Sequence, residues 1–486
     1  MRKILLAGAA AVGAIALASP ATAQVQVTPS GWAPTATGPN PLLQANPGVQ
    51  VRIGGRYNFY AANTQSDFNN NSGLTGANVP ATRIGDGGSK LSSVDFYDYA
   101  RLYPGFDAQT AGGLRYGAGL EIRMQGTSST GRGNDRGTLQ YRRINAYVAT
   151  PTLGMLRVGT ANGATAAMAV GHIMGSIATG LWDGDLNIIG PANPSTFWYS
   201  SSGNNNQTKI TYFTPQFFGF DAGLSYAPNN GNFANDGCPT TAGSTIANNG
   251  SSGTGCDRLS ESNLDTQTQR IRNLHEIQLR YRGSFGPVGV AAAGGYTGAD
   301  TVGATGSAIA TEAVRLYNVG LTGSAFGFTV GGIVTGGSLN YATFQRNTAV
   351  ATAAGVLTPT QATPLTGAGN FTSAGFGSFA PLPSGANADD LFTWQIGASY
   401  TIGPFTVGAA YHEAKYEGNV AVASNAKDRG FGIGGSYAVA PGFVLYAEYL
   451  YGTREENGVN LVTGQAGSQN NKGTSNVLLI GTQLNW

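Results

Sequence analysis

The segment LFTWQIGASY, residues 391–400, alternates without a break. Phe392, Trp394, Ile396, Ala398 and Tyr400 share one parity, and Thr393, Gln395, Gly397 and Ser399 share the other. Successive side chains of a strand point to opposite faces, so this segment predicts a strand with one apolar face and one face for water. Residues 114–125 repeat the pattern, with Leu114, Tyr116, Ala118, Leu120, Ile122 and Met124 opposite Arg115, Gly117, Gly119, Glu121, Arg123 and Gln125. Charges on that second face exclude a packed sandwich core. Runs of this period recur along most of the chain, and no long segment carries the 3.6-residue apolar period of a helix.

The links between runs are of two kinds. Short ones occur at Ala111–Gly113, Pro151–Gly154, Pro215–Gly219, Ser284–Pro287, Ser324–Gly327, Thr401–Pro404 and Val439–Gly442. Long links rich in Asn, Ser, Thr and Gly, such as Ala62–Ser93, Ala227–Gln267 and Tyr341–Ala388, alternate with them. Strand starts fall near Val51, Phe96, Leu114, Tyr141, Met155, Thr208, Phe220, Arg272, Val288, Val314, Phe328, Leu391, Phe405, Arg429, Phe443 and Val477, sixteen in all. An even set of antiparallel strands, with short turns at one end and long loops at the other, predicts an all-β transmembrane barrel. Closure removes the unpaired edges that lipid forbids, and sixteen strands leave room for an aqueous channel.

Composition agrees. The 74 glycines among 486 residues are about twice the ~7% of average usage, and small residues suit a lined lumen. Only 11% of residues are charged, 10% are aromatic and mean hydropathy is −0.10, which fits neither a disordered acidic chain nor a helical membrane protein. Tyr57, Phe59, Tyr103, Phe106, Tyr317, Trp394, Tyr400, Phe405, Tyr411, Phe443 and Tyr449 lie near strand ends and are expected to form two interfacial girdles.

The amino terminus reads as a secretory signal peptide over residues 1–23. Arg2 and Lys3 precede an apolar run from Ile4 to Ala18, and a small-residue end finishes at Ala23. The run is too short to span a bilayer as a helix, so membrane insertion falls to the strands. The 27 basic side chains less Arg2 and Lys3 equal the 25 acidic ones, so net charge gives no affinity for nucleic acid. A Pro-rich extension over residues 24–49, with Pro29, Pro34, Pro39, Pro41 and Pro47, precedes the barrel, which is expected over residues 50–486.

The signal peptide, the first strand VRIGGRYNFY (residues 51–60), the sixteen-strand schedule and the last strand NVLLIGTQLNW (residues 476–486) together resemble the general porins of Gram-negative bacteria, most of all the alphaproteobacterial branch. The likeness is architectural and spans Val51–Trp486. It implies a homotrimer in the outer membrane, in contact with membrane lipid and lipopolysaccharide. It also implies a C-terminal strand read by the barrel-assembly machinery, although Trp486 stands where Phe is more usual. The function implied is passive diffusion of small hydrophilic solutes and ions. A solute-specific channel for sugars or organic anions, with Tyr97, Tyr99, Tyr103 and Trp182 along its path, is one alternative. A surface adhesin or structural barrel with a plugged lumen is another.

In such porins the third long loop folds inward as a constriction, and residues 160–207 occupy that place. Asp183 and Asp185 are its two full charges, with His172 upstream. Facing them, residues 50–160 hold eleven of the 21 arginines. Strand parity turns Arg52, Arg56, Arg101, Arg115 and Arg123 inward, and Arg143 and Arg157 with them; Glu121 and Tyr99 join this candidate pore constriction. An acidic loop against a basic wall sets a transverse field across a narrow passage. The competing reading is that Asp95, Asp107 and Glu121 pair with these arginines to satisfy buried charge. Arg280 and Arg282, with Glu276, offer a second inward patch.

Cys238 and Cys256, the two cysteines, lie in one polar loop and meet an oxidising compartment after export, which favours a disulfide. The three histidines, His172, His275 and His412, have no metal-site spacing, so neither metal nor cofactor is expected. His412 beside Glu413 is the nearest approach to catalytic chemistry, but no nucleophile motif accompanies it, and an enzyme is not expected.

Overall fold

The computed structural model describes residues 48–67, 92–125, 140–173, 208–229, 271–301, 313–338, 391–417, 425–457, 459–460, 465–466, 469 and 471–486. The alternating segments become β1 (Gly48–Ser66), β2 (Val94–Gln109), β3 (Arg115–Gln125), β4 (Gln140–Thr150), β5 (Gly154–Thr160), β6 (Thr208–Phe213), β7 (Phe220–Asn229) and β8 (Ile271–Phe285). They continue as β9 (Val288–Thr301), β10 (Val314–Ala325), β11 (Phe328–Ser338), β12 (Leu391–Ile402), β13 (Phe405–Glu417), β14 (Asn425–Ala440) and β15 (Phe443–Glu456). A short ribbon, β16 (Val459–Asn460) with β17 (Gln465–Ala466), precedes the last strand, β18 (Lys472–Asn485). Apart from the ribbon, each strand pairs antiparallel with its neighbours in sequence, and β18 closes on β1, giving a barrel of sixteen strands. The largest departure from the expected starts is at the last strand, which begins at Lys472 and not near Val477.

Closure is completed at the chain end. Arg56 lies in register with Asn485, and Gly55 and Trp486 exchange backbone hydrogen bonds of 3.1 and 3.2 Å. The Trp486 indole covers Gly55, where any Cβ would overlap it. The seven short turns all form. One of several two-residue turns joins Ala325 to Phe328 through Phe326 and Gly327, both at positive φ (51° and 86°), the twist that suits such a hairpin.

Burial inverts the pattern of a soluble protein. On β12, Ile396 is 52% exposed while Gln395 is 2% exposed, and Phe392 and Ile402 are exposed while Thr393 is buried. The exposed parity is a band of Val, Ile, Leu and aromatic residues around the barrel, as a lipid-facing surface requires. Rings gather at both of its margins. Phe328 stacks near Tyr400 (4.4 Å) and Phe405 near Tyr437 (4.6 Å) at the turn end, and Trp394 meets Tyr411 (5.2 Å) and Phe431 meets Tyr451 (5.4 Å) at the loop end. Tyr103, expected in a girdle, is instead buried on the inward parity it shares with Arg101.

Candidate functional site: the inner wall

Parity and register bring the arginines of the early strands together inside the barrel. Arg56, Arg101, Arg143 and Arg157 are buried on the inner face, while Arg52, Arg115 and Arg123 keep part of their surface accessible there. Lys209 of β6 and Arg280 and Arg282 of β8 extend the series. The described inward side chains of β1–β8 thus carry ten cations against four carboxylates, Asp107, Glu121, Asp221 and Glu276.

Each carboxylate is committed. Glu121 is shared by three guanidinium groups: Arg123 at 2.9 Å, Arg143 at 3.4 Å and Arg101 at 3.5 Å. Asp107 accepts from Arg52 Nε at 2.7 Å and from the Tyr147 hydroxyl at 2.5 Å. Asp221 takes a two-pronged contact from Arg280 (3.0 and 2.5 Å) and a third from Arg282 (2.8 Å). Sequence reasoning linked those two arginines with Glu276; the register sets Arg280 directly opposite Asp221 instead, and Glu276 accepts the Thr165 hydroxyl at 2.6 Å. Pairing with Asp107 and Glu121 therefore occurs, yet cations remain in excess. Planar guanidinium forks suit this sharing, since each presents several donors in fixed geometry.

Residues 161–173, the start of the long link after β5, pack against this wall from within. A single helical turn, Ala164–Ala167, places the Ala164 N–H on Ser225 Oγ at 2.7 Å. Arg157 lies over the Phe213 ring (5.2 Å to its centre) and donates to the Asn162 carbonyl. Met168 and Ala167 join Tyr147, Ala149, Met155 and Phe213 in an apolar cluster, and Val170 joins Ala291 and Ala293. The segment then runs against β10–β12, where glycines give it room. A Cβ at Gly320 would overlap the Val170 carbonyl, and Cβ atoms at Gly331 and Gly397 would crowd Ile173. The polar-face glycines here seat the segment as well as keep space open.

His172, at the end of this segment, is held near pKa 4 because burial disfavours its charged form. His412 is buried on the inner face, whereas Glu413, its neighbour in sequence, ion-pairs with Lys427 and Arg429 on the outer face. The two therefore form no pair. Lys209, Asp221, Asp428 and Glu448 are inward charges that the sequence reading did not single out, although strand parity carried the signal for each. Asp183, Asp185 and Trp182, Cys238 and Cys256, and the leader and extension through residue 47 lie outside the described residues. Tyr97 and Tyr99 lie on β2 with side chains outside that description.

The family model described as Gram-negative porin matches residues 7–457. Solved structures similar to the chain include a loop-deletion mutant of OmpT, an outer membrane protein of Vibrio cholerae, at 12% identity and a TM-score of 0.47, covering 90% of this chain and 99% of that one. An anion-selective porin from Comamonas acidovorans matches at 14% identity and a TM-score of 0.43, and a mutant of the Rhodopseudomonas blastica porin at 13% and 0.42; each alignment covers 90% of this chain and 100% of the other. No curated protein is significantly similar to the chain. A sixteen-stranded closed barrel with an apolar exterior and a charged interior, matched by the family over nearly its whole length, makes this chain a Gram-negative porin, an outer-membrane channel for passive diffusion.

Proposed function

We propose that this porin passes small hydrophilic solutes with a preference for anions, and that the arginine wall of β1–β8 sets that preference. The observation that carries the reading is the excess of inward cations there: the Glu121 carboxylate alone is shared by Arg101, Arg123 and Arg143. Cations facing a narrow, low-dielectric passage raise the local concentration of anions. Arg52 and Arg123, 17% and 13% exposed, are the members of these pairs that a passing solute meets most directly. Residues 160–207 form the constriction in this reading, supported by the inward packing of 161–173, with Asp183 and Asp185 facing the wall to complete a transverse field. The mature chain, released from a leader at residues 1–23, assembles as a homotrimer, contacts lipopolysaccharide, and is inserted through recognition of its last strand by the barrel-assembly machinery.

Swelling of liposomes reconstituted with the mature protein tests this. Entry rates are expected to fall with solute size, to rise linearly with concentration, and to favour a carboxylate over a neutral sugar of similar size. Saturating entry of one solute class would replace this reading with a specific channel, and no swelling from a folded barrel would replace it with a plugged surface barrel. Asp183→Asn/Asp185→Asn is expected to strengthen the anion preference; an unchanged preference would remove those carboxylates from the constriction.

A further inference from the structure

The hairpin turns at one end of the barrel are apolar where water is the expected surrounding. None of the seven contains a charged residue. Consecutive turns, from the one between β4 and β5 round to the one between β12 and β13, raise Leu153, Phe217, Phe218, Phe285, Phe326 and Ile402, each between 60% and 84% exposed. Two of these rings stand where the hairpin itself gains nothing from them. Phe218 and Phe326 each take the first central position of a two-residue turn, at φ 48° and 51°, followed by Gly219 and Gly327 at 89° and 86°. Phe217 and Phe220 exchange backbone hydrogen bonds of 2.7 and 2.9 Å across the first turn, and Ala325 pairs with Phe328 across the second. Positive φ at that position favours Asn, Asp or Gly, and a bulky ring there is strained. A side chain that its own backbone disfavours, held out on the surface, is explained by a contact outside the hairpin. These tips also lie past the last ring row at this end, since Phe326 precedes Phe328, whose ring meets Tyr400.

The chain itself supplies a matching occupant. β1 enters the barrel at this same end, where Gly48 pairs with Gln109 beside the turn closed by Thr110 and Leu114. Residues 24–47, which lead into it, contain no charged residue and carry Val25, Val27, Trp32, Leu42 and Leu43 among five prolines. Each proline fixes φ near about −65°, so such a segment gives up little freedom on lying extended, and extended proline-rich segments dock on aromatic surfaces. At ~3.1 Å per residue the segment reaches ~74 Å. Sixteen strands spaced ~4.8 Å apart and tilted by about 40° enclose a diameter of roughly 30 Å, so every turn tip lies within that reach. An uncharged segment on an uncharged rim strands no charge in a dry contact. We propose that residues 24–47 dock as a strap on the turn-end rim of their own barrel, with their apolar side chains on the tips from Phe217 and Phe218 to Phe326. The inference does not depend on which ions the lumen passes.

The test uses the chain from residue 24 onward, folded in phosphatidylcholine vesicles, with p-benzoylphenylalanine in place of Phe218 or of Phe326. Irradiation, digestion and mass spectrometry are expected to find either position joined to residues 24–47. When isotopically heavy and light chains are folded together, the cross-links are expected within one chain only. The same photoprobe in place of Val319, in the lipid-facing band, is expected to label lipid and not residues 24–47. Labelling of phospholipid from the turn positions would make the rim a membrane anchor, and heavy-to-light cross-links would give it to a second copy; either result, or no cross-link at all, overturns the proposal. Trp32→Ser/Leu42→Ser/Leu43→Ser is expected to cut the yield about fivefold or more, whereas an undiminished yield would mean that tethering alone brings the segment near, and would overturn the docking. Phe218→Asn/Phe326→Asn gives both turns a residue type their backbone prefers, so the barrel is retained, while cleavage of residues 24–47 by thermolysin is expected to rise about tenfold. Equal cleavage of this variant and wild type would contradict a strap held by those rings.

Discussion

The inner wall of the barrel has two unlike stretches, apart from β13–β15 with their inward His412, Asp428 and Glu448. From β1 to β8 it is lined by ten cations and four carboxylates among the described side chains; from β9 to β12 it is lined by Ala, Gly, Thr and a few apolar or amide side chains, with no charge. The charged stretch holds its side chains by ion pairs, and the uncharged stretch holds residues 161–173 by close backbone approach. A barrel strand fixes only which face a side chain takes, so the two stretches reach different ends by different residue choices at equivalent inward positions. In the function proposed above, charge concentrated on β1–β8 sets a field across the lumen. Small residues on the other stretch leave a groove that a loop can fill without buried charge of its own.

The most damaging way to break this contrast is to strip the charged stretch of its shared anion. Glu121→Gln leaves three crowded guanidinium groups around an amide, and removing one partner of a buried pair costs about 3–5 kcal/mol. A clearly lowered midpoint of heat-induced unfolding in detergent is expected; an unchanged midpoint would mean the arginines are solvated well enough to ignore Glu121. The uncharged stretch is tested by Gly320→Leu, which intrudes on the Val170 carbonyl. Overpacking of this kind costs about 1–3 kcal/mol, and displacement of the segment is expected to change single-channel conductance while the barrel still forms. Gly323→Leu, where a Cβ meets open space, is expected to leave conductance unaltered.

Much of this was legible in the chain. Alternation gave the strands and their faces, and Gly-containing turns gave the hairpins, because both are local properties. Tyr103 shows local information outweighed by a compositional habit: its parity matched Arg101 all along, and only its aromatic character suggested the girdle. The partner of Arg280 was hidden for a different reason. Asp221 is 59 residues away in sequence and meets Arg280 through the register of β7 with β8, which no single strand specifies. The seat of residues 161–173 was hidden likewise, since it is built from glycines on β10, β11 and β12 that look the same in sequence as any others.

A gentler perturbation is acid. Burial holds His172 near pKa 4 against an ordinary value of 6.5, so the docked segment favours the neutral imidazole. Docking stability is therefore full above pH 6.5 and is lost progressively as pH falls from 6.5 toward 4. Conductance fluctuations are expected to grow across that window and to be reduced in His172→Gln. The same fluctuations in wild type and variant would assign them to another group.

The central claim, that the passage is governed by an excess of arginine on one wall, is tested most directly by the reversal potential of the mature porin in a planar bilayer under a salt gradient. Wild type is expected to give a potential of the sign for anion preference, and Arg52→Gln/Arg123→Gln to move it toward zero with the large stepwise conductance kept. A cation-selective wild type, or a double variant with an unmoved reversal potential, would contradict the account.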